Sequence, residues 1–465
     1  MKEKIIKYFE DHRDEMLKDI GELISVNSVK GEALEGKPFG EGPAAAVAAA
    51  EKICKRLGFK TTNFENYVLT VNHMDSPAHL GILCHLDVVA EGTGWTKEPF
   101  KMVEENGKIY GRGVSDDKGP AIVALYALKA IDDLKIPVTK NTRIILGADE
   151  ECGSSDLKYY FKKEAPPTYC ISPDAEYPVF NVEKGGYKTD LRASYDVNGA
   201  LPRLNYLKGG HTANIVAQHA SALVEGFKLP LVNDFCKKYS EITGADISAV
   251  EKGHEIVIEC EGKSSHASMP QDGNNALTAI LAMLSAMPFA ESELKGYIDG
   301  LTEIFPHGDF LGKAAGIAAR DDIAGELTCS FDILNICDGK VDGVFDIRSP
   351  ICCNESNTSN VLAAKLLSAG LKVDDTTMNP PHHVSADLPF IKTLLSAYEN
   401  YTGLKGGCCS MGGGTYVHHI ENGVAFGPTF QGTETNLHGA DEFAVIDELI
   451  KTAEIYTEVI AEMCK

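Results

Sequence analysis

The sequence predicts an α/β fold, a mixed and mostly parallel sheet with helices on both faces, into which an α+β lid domain is inserted. Three observations predict it. Strand-like and helix-like stretches alternate up to about residue 185, the pattern of parallel strands joined by crossover helices. From about 186 to 384 the period shifts toward alternating strand pieces interleaved with separate helices, and after 384 the first style resumes. A chain of 465 residues also exceeds what one hydrophobic core serves. The expected organisation is a first domain in two parts, 1–185 and 385–465, around an inserted domain, 186–384, of two similar halves.

Taken in order, residues 3–25 and 43–57 read as amphipathic helices, the second alanine-rich and stopped by Gly58. Strands follow at 66–72 and 79–90, the latter (HLGILCHLDVVA) apolar enough to lie buried in mid-sheet. A helix starts near Gly119 and runs through AIVALYALKAIDDL. The strand RIILGAD, a helix across SSDLKYYFKKE and the strand TYCIS come next. In the inserted part YKTDLRASYDV, HEIVIECEG and LTCSFDILN read as strands, and 213–226, 273–288 and 357–370 as helices. The last part holds a helix (LPFIKTLLSAYENYTG), a glycine loop (SMGGGTY), a strand (GVAFGP) and a long closing helix across DEFAVIDELIKTAEIYTEVIAEMC.

Composition narrows the function classes. The chain is 44% hydrophobic and 24% charged, ordinary for a globular protein. Lysine and arginine number 44 against 67 aspartates and glutamates, a net charge of −23, which repels nucleic acid and anionic membrane. No apolar run approaches the roughly 20 residues needed to span a bilayer. The N-terminus, MKEKIIKYFEDHRDEM, is a charged helix without a signal-peptide core. The 13 cysteines are odd in number and contain no C-x-x-C pair, so they read as apolar fillers or free thiols in a reducing compartment. A cytoplasmic location is expected.

The chemistry lies in scattered acids and histidines. Residues two apart on a strand share a face, so His85 and Asp87 emerge together, one able to bind metal and the other to support it. Such a pair also arises by chance, and His73 with Asp75 in NHMDSP reads as a solvated hairpin turn. In YGRGVSDDKGP the glycines give Asp116 a tight, rigid path suited to a carboxylate that bridges two cations, while Asp117 suits a helix N-cap. Glu150 and Glu151 end a strand. They are either a solvated loop or a pair in which one binds metal and the other takes a proton from the metal-activated water. Asp174 ends another strand and is otherwise a turn residue, and His438 lies far downstream. Together these residues suffice for two tetrahedral zinc sites joined by one carboxylate, with a glutamate left as base; manganese or cobalt also suits such donors. SMGGGTY has neither a P-loop ending nor dinucleotide spacing, and reads as backbone that must approach a substrate. There is no G-x-S-x-G elbow and no H-E-x-x-H helix.

Over nearly the whole chain these motifs resemble the cocatalytic di-zinc superfamily of aminoacylases, carnosinases, glutamate carboxypeptidases and PepV-type dipeptidases. The resemblance is strongest to the PepV type, on HLDVV, GWTKEPFKM, YGRGVSDDKGP, SPDAEYP, GKSSHASMP, FDIRSP, GGGTY and VAFGP. It implies His85, Asp116 and Asp174 on one Zn2+ and Asp116, Glu151 and His438 on the other, with Glu150 as general base and Asp87 orienting His85. It further implies that a lid histidine, His266, polarises the scissile carbonyl. Asn214 and Arg348 match positions that contact the substrate carbonyl and C-terminal carboxylate, and Gly413, Gly414 and Thr415 fall in the substrate-facing loop. Departures lie in loops near the substrate: Ala90 replaces the usual proline, QGTETNLHGADE lacks the common Pro-Gly, and His211 and Thr212 precede Asn214. The implied function is a zinc exopeptidase that splits dipeptides with a free N-terminus, acting as a monomer without nucleic-acid or membrane partners. An N-acyl amino acid hydrolase uses the same machinery and is the alternative. A catalytically inactive binding protein is a remote one, which the presence of every ligand and of Glu150 opposes.

Overall fold

Hydrophobic patterning sets the central sheet of the first body, seen in a computed structural model that describes residues 1–197, 199–374 and 377–465. The chain divides into two units, the first comprising Met1–Val182, His383–Ser410 and Gly414–Lys465, the second Glu183–His382 with Met411–Gly413. In the first unit the strand order runs Thr61–Phe64, Val68–Asn72, Asn141–Gly147, Ala78–His85, Tyr169–Ser172, Gly423–Ala425, Val179–Glu183. The middle of this run is parallel: Ala78–His85 pairs in parallel with both Asn141–Gly147 and Tyr169–Ser172, and Gly423–Ala425 joins Tyr169–Ser172 in parallel. The outer pairings are antiparallel.

Both faces of the sheet are covered. Leu80, Ile82 and Cys84 point into the main core with the helices Lys2–Ile24, Glu41–Arg56, Lys118–Asp133, Pro389–Thr402 and Ile446–Met463. Leu83, Ile145 and Cys170 point the other way, onto Leu157, Tyr160, Tyr416 and Val417. The expected α/β class is thus what the chain adopts. The central strand stops at His85, so Asp87 lies in the loop beyond it rather than on the strand. His73 is not in a hairpin, because Asn141–Gly147 separates the two strands it joins, and its ring is largely buried with Nε2 2.8 Å from Asp132 Oδ1. The closing helix begins at Ile446 rather than 441, since Phe443–Val445 pairs as a strand with Lys108–Tyr110.

The second unit is built on an antiparallel sheet ordered Asp246–Lys252, Glu255–Glu261, His219–Glu225, Arg203–Gly209, Thr328–Cys337, Lys340–Ser349, Gly185–Ser194, Lys372–Val373. Alternate residues such as Ile256, Ile258 and Cys260 share one core with the helices Leu229–Thr243, Ala276–Ala286, Glu293–Ile304 and Ser359–Ser368. The helix expected at 213–226 is instead the strand His219–Glu225, which buries Ala220, Ala222 and Val224 in period two. Among the described residues no helix is long and apolar enough to cross a membrane.

Candidate metal centre

The C-terminal ends of three parallel strands deliver His85, Glu150 with Glu151, and Asp174, as expected where ligands gather in an open α/β sheet, and the loop before Lys118–Asp133 brings Asp116. His85 ends its strand on the face of Leu83, and the Tyr416 ring meets it edge-on, centroids 6.1 Å apart at 88°. Tyr416 crosses the neighbouring strand so closely that a Cβ on Gly147 would lie 2.0 Å from its hydroxyl. Only glycine fits there.

Asp116 divides its two oxygens between two imidazoles. Oδ1 lies 2.8 Å from His85 Nε2 and Oδ2 3.0 Å from His438 Nε2. Glu151 Oε1 is 3.2 Å from the same His438 nitrogen, yet this buried atom has no well-directed hydrogen bond among the described residues. Donor atoms of His85, Glu150 and Asp174 lie within 4.8 Å of one another, and so do those of His85, Asp116 and Glu151. Behind the donors, His85 Nδ1 lies 2.9 Å from the Asp87 backbone carbonyl and 3.5 Å from its carboxylate. The Asp87 carboxylate mainly accepts the Glu150 and Glu151 backbone N–H groups, each at 3.1 Å, and so fixes the turn that presents both glutamates.

The charge balance of this cluster calls for cations. Without them, burial and repulsion from neighbouring acids push the Glu150 carboxyl up to about 8 and Asp174 well above the usual carboxylate range. The Asp116 and Glu151 carboxylates beside it raise the His438 imidazole to about 10. Burial opposes charge on His85, but Asp116 and Asp87 together outweigh it and hold the ring well above its ordinary value. Burial likewise works against ionisation of Asp116, and the two histidines overcome it, keeping this carboxyl below its usual range. Four carboxylates facing two imidazoles are relieved by divalent cations, and the mixed nitrogen and oxygen donors suit metals of the zinc class. The residues present fit such ions.

The second unit holds the remaining candidates, apart from Gly414 and Thr415. Asn214 and His266 lie on adjoining segments: Ala267 N–H donates to the Asn214 carbonyl at 2.8 Å, and Ile215 bridges His266. The exposed His266 ring is turned by Ser268, whose backbone N–H donates to Nδ1 at 3.1 Å, which leaves the ring proton on Nε2. Arg348 is held in a two-point grip, Nε and Nη2 donating to Asp346 at 2.6 and 2.8 Å, while Nη1 donates to the Gly412 carbonyl at 2.9 Å. A Cβ on Gly412 would lie 2.5 Å from that of Ser268. SMGGGTY, expected to approach a substrate, brings Gly412 close to the His266 loop. Gly413 follows Gly412 in this unit, whereas Gly414 and Thr415 belong to the first, where Thr415 caps the short helix Tyr416–His419.

Residues 81–462 match peptidase family M20/M25/M40. The chain belongs to this family. It is 35% identical over 465 residues to the Beta-Ala-Xaa dipeptidase of Lactobacillus delbrueckii subsp. lactis, covering 98% of this chain and 97% of the relative. Among solved structures, human carnosine dipeptidase 1 superposes with a TM-score of 0.62 at 16% identity, over 100% of this chain and 98% of that one. The M20 family metallo-carboxypeptidase Sso-CP2 from Sulfolobus solfataricus gives 0.59 at 18% identity, over 97% and 99%. The resemblance drawn from the motifs holds, and this M20 chain is a metal-dependent peptidase.

Two supporting acids of this M20 centre escaped the sequence reading. Asp117 occupies the N-cap position but makes no cap bond; its Oδ2 accepts the His85 backbone N–H at 3.1 Å. Asp156 looks like a surface acid in the first turn of Ser155–Tyr160, yet it is fully buried and accepts from Ala148 N, Asp149 N and the Tyr416 hydroxyl. The only signal for Asp117 was its place next to Asp116. Asp156 left none, because burial is not written in a single residue.

Proposed function

We propose that the chain is a dipeptidase that binds two zinc ions, one at His85, Asp116 and Asp174 and one at Asp116, Glu151 and His438. The observation that carries this reading is the division of the two Asp116 oxygens between His85 and His438, which is how a bridging carboxylate must be presented. When bound, the ions lower the pKa of a water to roughly 7 and polarise the scissile carbonyl. Glu150, held by Asp87 through its backbone N–H, takes a proton from the attacking water on its carboxylate and hands it to the departing amine. His266 donates a hydrogen bond from its Nε2–H to the carbonyl oxygen as negative charge builds there. Asn214 assists at the same carbonyl, and Gly413, Gly414 and Thr415 supply backbone along the peptide. Arg348, with Asp346 and Gly412 occupying three of its five N–H groups, keeps two for the substrate's C-terminal carboxylate.

A dipeptide substrate is supported by the full-length relation to a protein named Beta-Ala-Xaa dipeptidase. The test compares kcat/KM for an unblocked dipeptide with that for the matching N-acetyl amino acid, using zinc-loaded enzyme and a chelated control. Preference for the dipeptide, abolished by chelation, is expected. Preference for the acetyl compound would move the function to an N-acyl amino acid hydrolase.

A further inference from the structure

The loop bearing Asp116 and the loop bearing His438 are fastened together by an ion pair that contributes no donor to the centre. Arg112 and Glu442 have side chains 1% and 0% exposed, and Arg112 Nη1 donates to Glu442 Oε2 at 2.7 Å. The Glu442 carboxylate also accepts the backbone N–H groups of Gly113 at 3.1 Å, Ser115 at 3.0 Å and Asp116 at 3.3 Å. In the other direction Arg112 Nη2 reaches the carbonyls of His438 at 3.3 Å and Gly439 at 3.1 Å, and those of Ala90 and Glu91 at 3.4 and 3.3 Å. The strands leading into the two loops pair as well, Phe443 lying opposite Tyr110.

A buried ion pair is a poor way to gain stability, because apolar residues of the same volume avoid its desolvation cost. This pair spends its hydrogen bonds on the backbone of the two loops instead. We infer that Arg112 and Glu442 are positioning residues that set Asp116 against His438, so that metal affinity depends on them although neither touches the metal. The inference rests on Asp116 and His438 being ligands. The position formed by Asp116, Glu151 and His438 takes two donors from the tied loops and the other position takes one, so the first weakens more.

The test is a chelator-buffered zinc titration of the metal-stripped full chain, read as stoichiometry and affinity, for wild type, Glu442→Gln and Arg112→Lys, with Asp116→Ala as control. The Tm of each metal-free protein is measured alongside. Glu442→Gln keeps the side-chain shape and one acceptor oxygen. It is expected to bind two zinc ions, one of them about 10–100-fold more weakly, the usual effect of removing a group that orients a ligand. Excess zinc should then restore kcat, a recovery that a purely structural defect would not allow. Affinities within twofold of wild type in folded Glu442→Gln, while Asp116→Ala loses zinc, would overturn the positioning role and leave the ligands standing. Wild-type zinc binding by Asp116→Ala would overturn both. Should Glu442→Gln not fold, the same criterion applies to Arg112→Lys, which keeps the charge and loses the reach to both loops.

Discussion

Glu150 and Glu151 are adjacent in sequence and held by the same Asp87 carboxylate, yet their side chains meet different partners. Glu151 points at His438, while Glu150 lies with His85 and Asp174. Replacing Glu150 with Ala is expected to keep both zinc ions and lower kcat by about 10²–10⁴, the scale of a general base. Steady-state kinetics with metal analysis checks this, and turnover near wild type would remove Glu150 from the role. The residues that the structure gathers here were legible because each is an acid or histidine at a strand end or in a glycine-bounded turn. Asp117 and Asp156 were not, because their importance comes from the backbone N–H groups they accept. Those partners are set by the fold, and an acid beside a helix start has the same local sequence whether it caps or turns inward.

At the scale of elements, the segment 213–226 shows how two periods can share one sequence. Val216, Ala217, Ala220 and Leu223 fall at helical spacing, while Ala220, Ala222 and Val224 fall at strand spacing. Pairing on both sides, with Glu255–Glu261 and Arg203–Gly209, decides for the strand. The strand Thr328–Cys337 was plain from its apolar alternation, but not the buried acid within it. Asp332 sits where the register shifts between Phe331 and Ile333; one oxygen accepts from Ser330 and the other has no hydrogen-bond partner among the described residues. Burial raises its carboxyl to about 7 from an ordinary 3.8, so the folded chain holds a proton that the unfolded chain has released. Its stabilising contribution is complete below about pH 4 and disappears as pH rises through 7. Asp332→Asn should therefore flatten the decline in Tm between pH 4 and pH 8, measured by calorimetry on metal-free protein. Parallel slopes in variant and wild type would refute this.

For the whole molecule, the two bodies were foreshadowed by the change of hydrophobic period near residue 186, whereas the membership of Met411–Gly413 was not, since it depends on the approach of Gly412 to Ser268. Metal joins acids that otherwise repel, so chelation should lower Tm, and the size of that effect should depend on pH. In metal-free protein Glu150 and His438 hold protons up to about 8 and about 10, above their values in the unfolded chain, so stability falls as pH rises through this range. Zinc competes with those protons and binds more tightly as they leave. The gain in Tm on adding zinc should thus be larger at pH 8.5 than at pH 6, which a thermal shift series would show; a larger gain at pH 6 would contradict it. The parallel pairing of Gly423–Ala425 with Tyr169–Ser172 joins segments roughly 250 residues apart. Translated at about 5–20 residues per second, the earlier strand waits about 13–50 s beside a ribosome for its neighbour. Nearly all of the second unit leaves the ribosome during that wait, so the body synthesised in the middle can fold before the one begun first. The unfinished sheet, with its apolar edge open, is then the stage at which this chain is most exposed to misassembly.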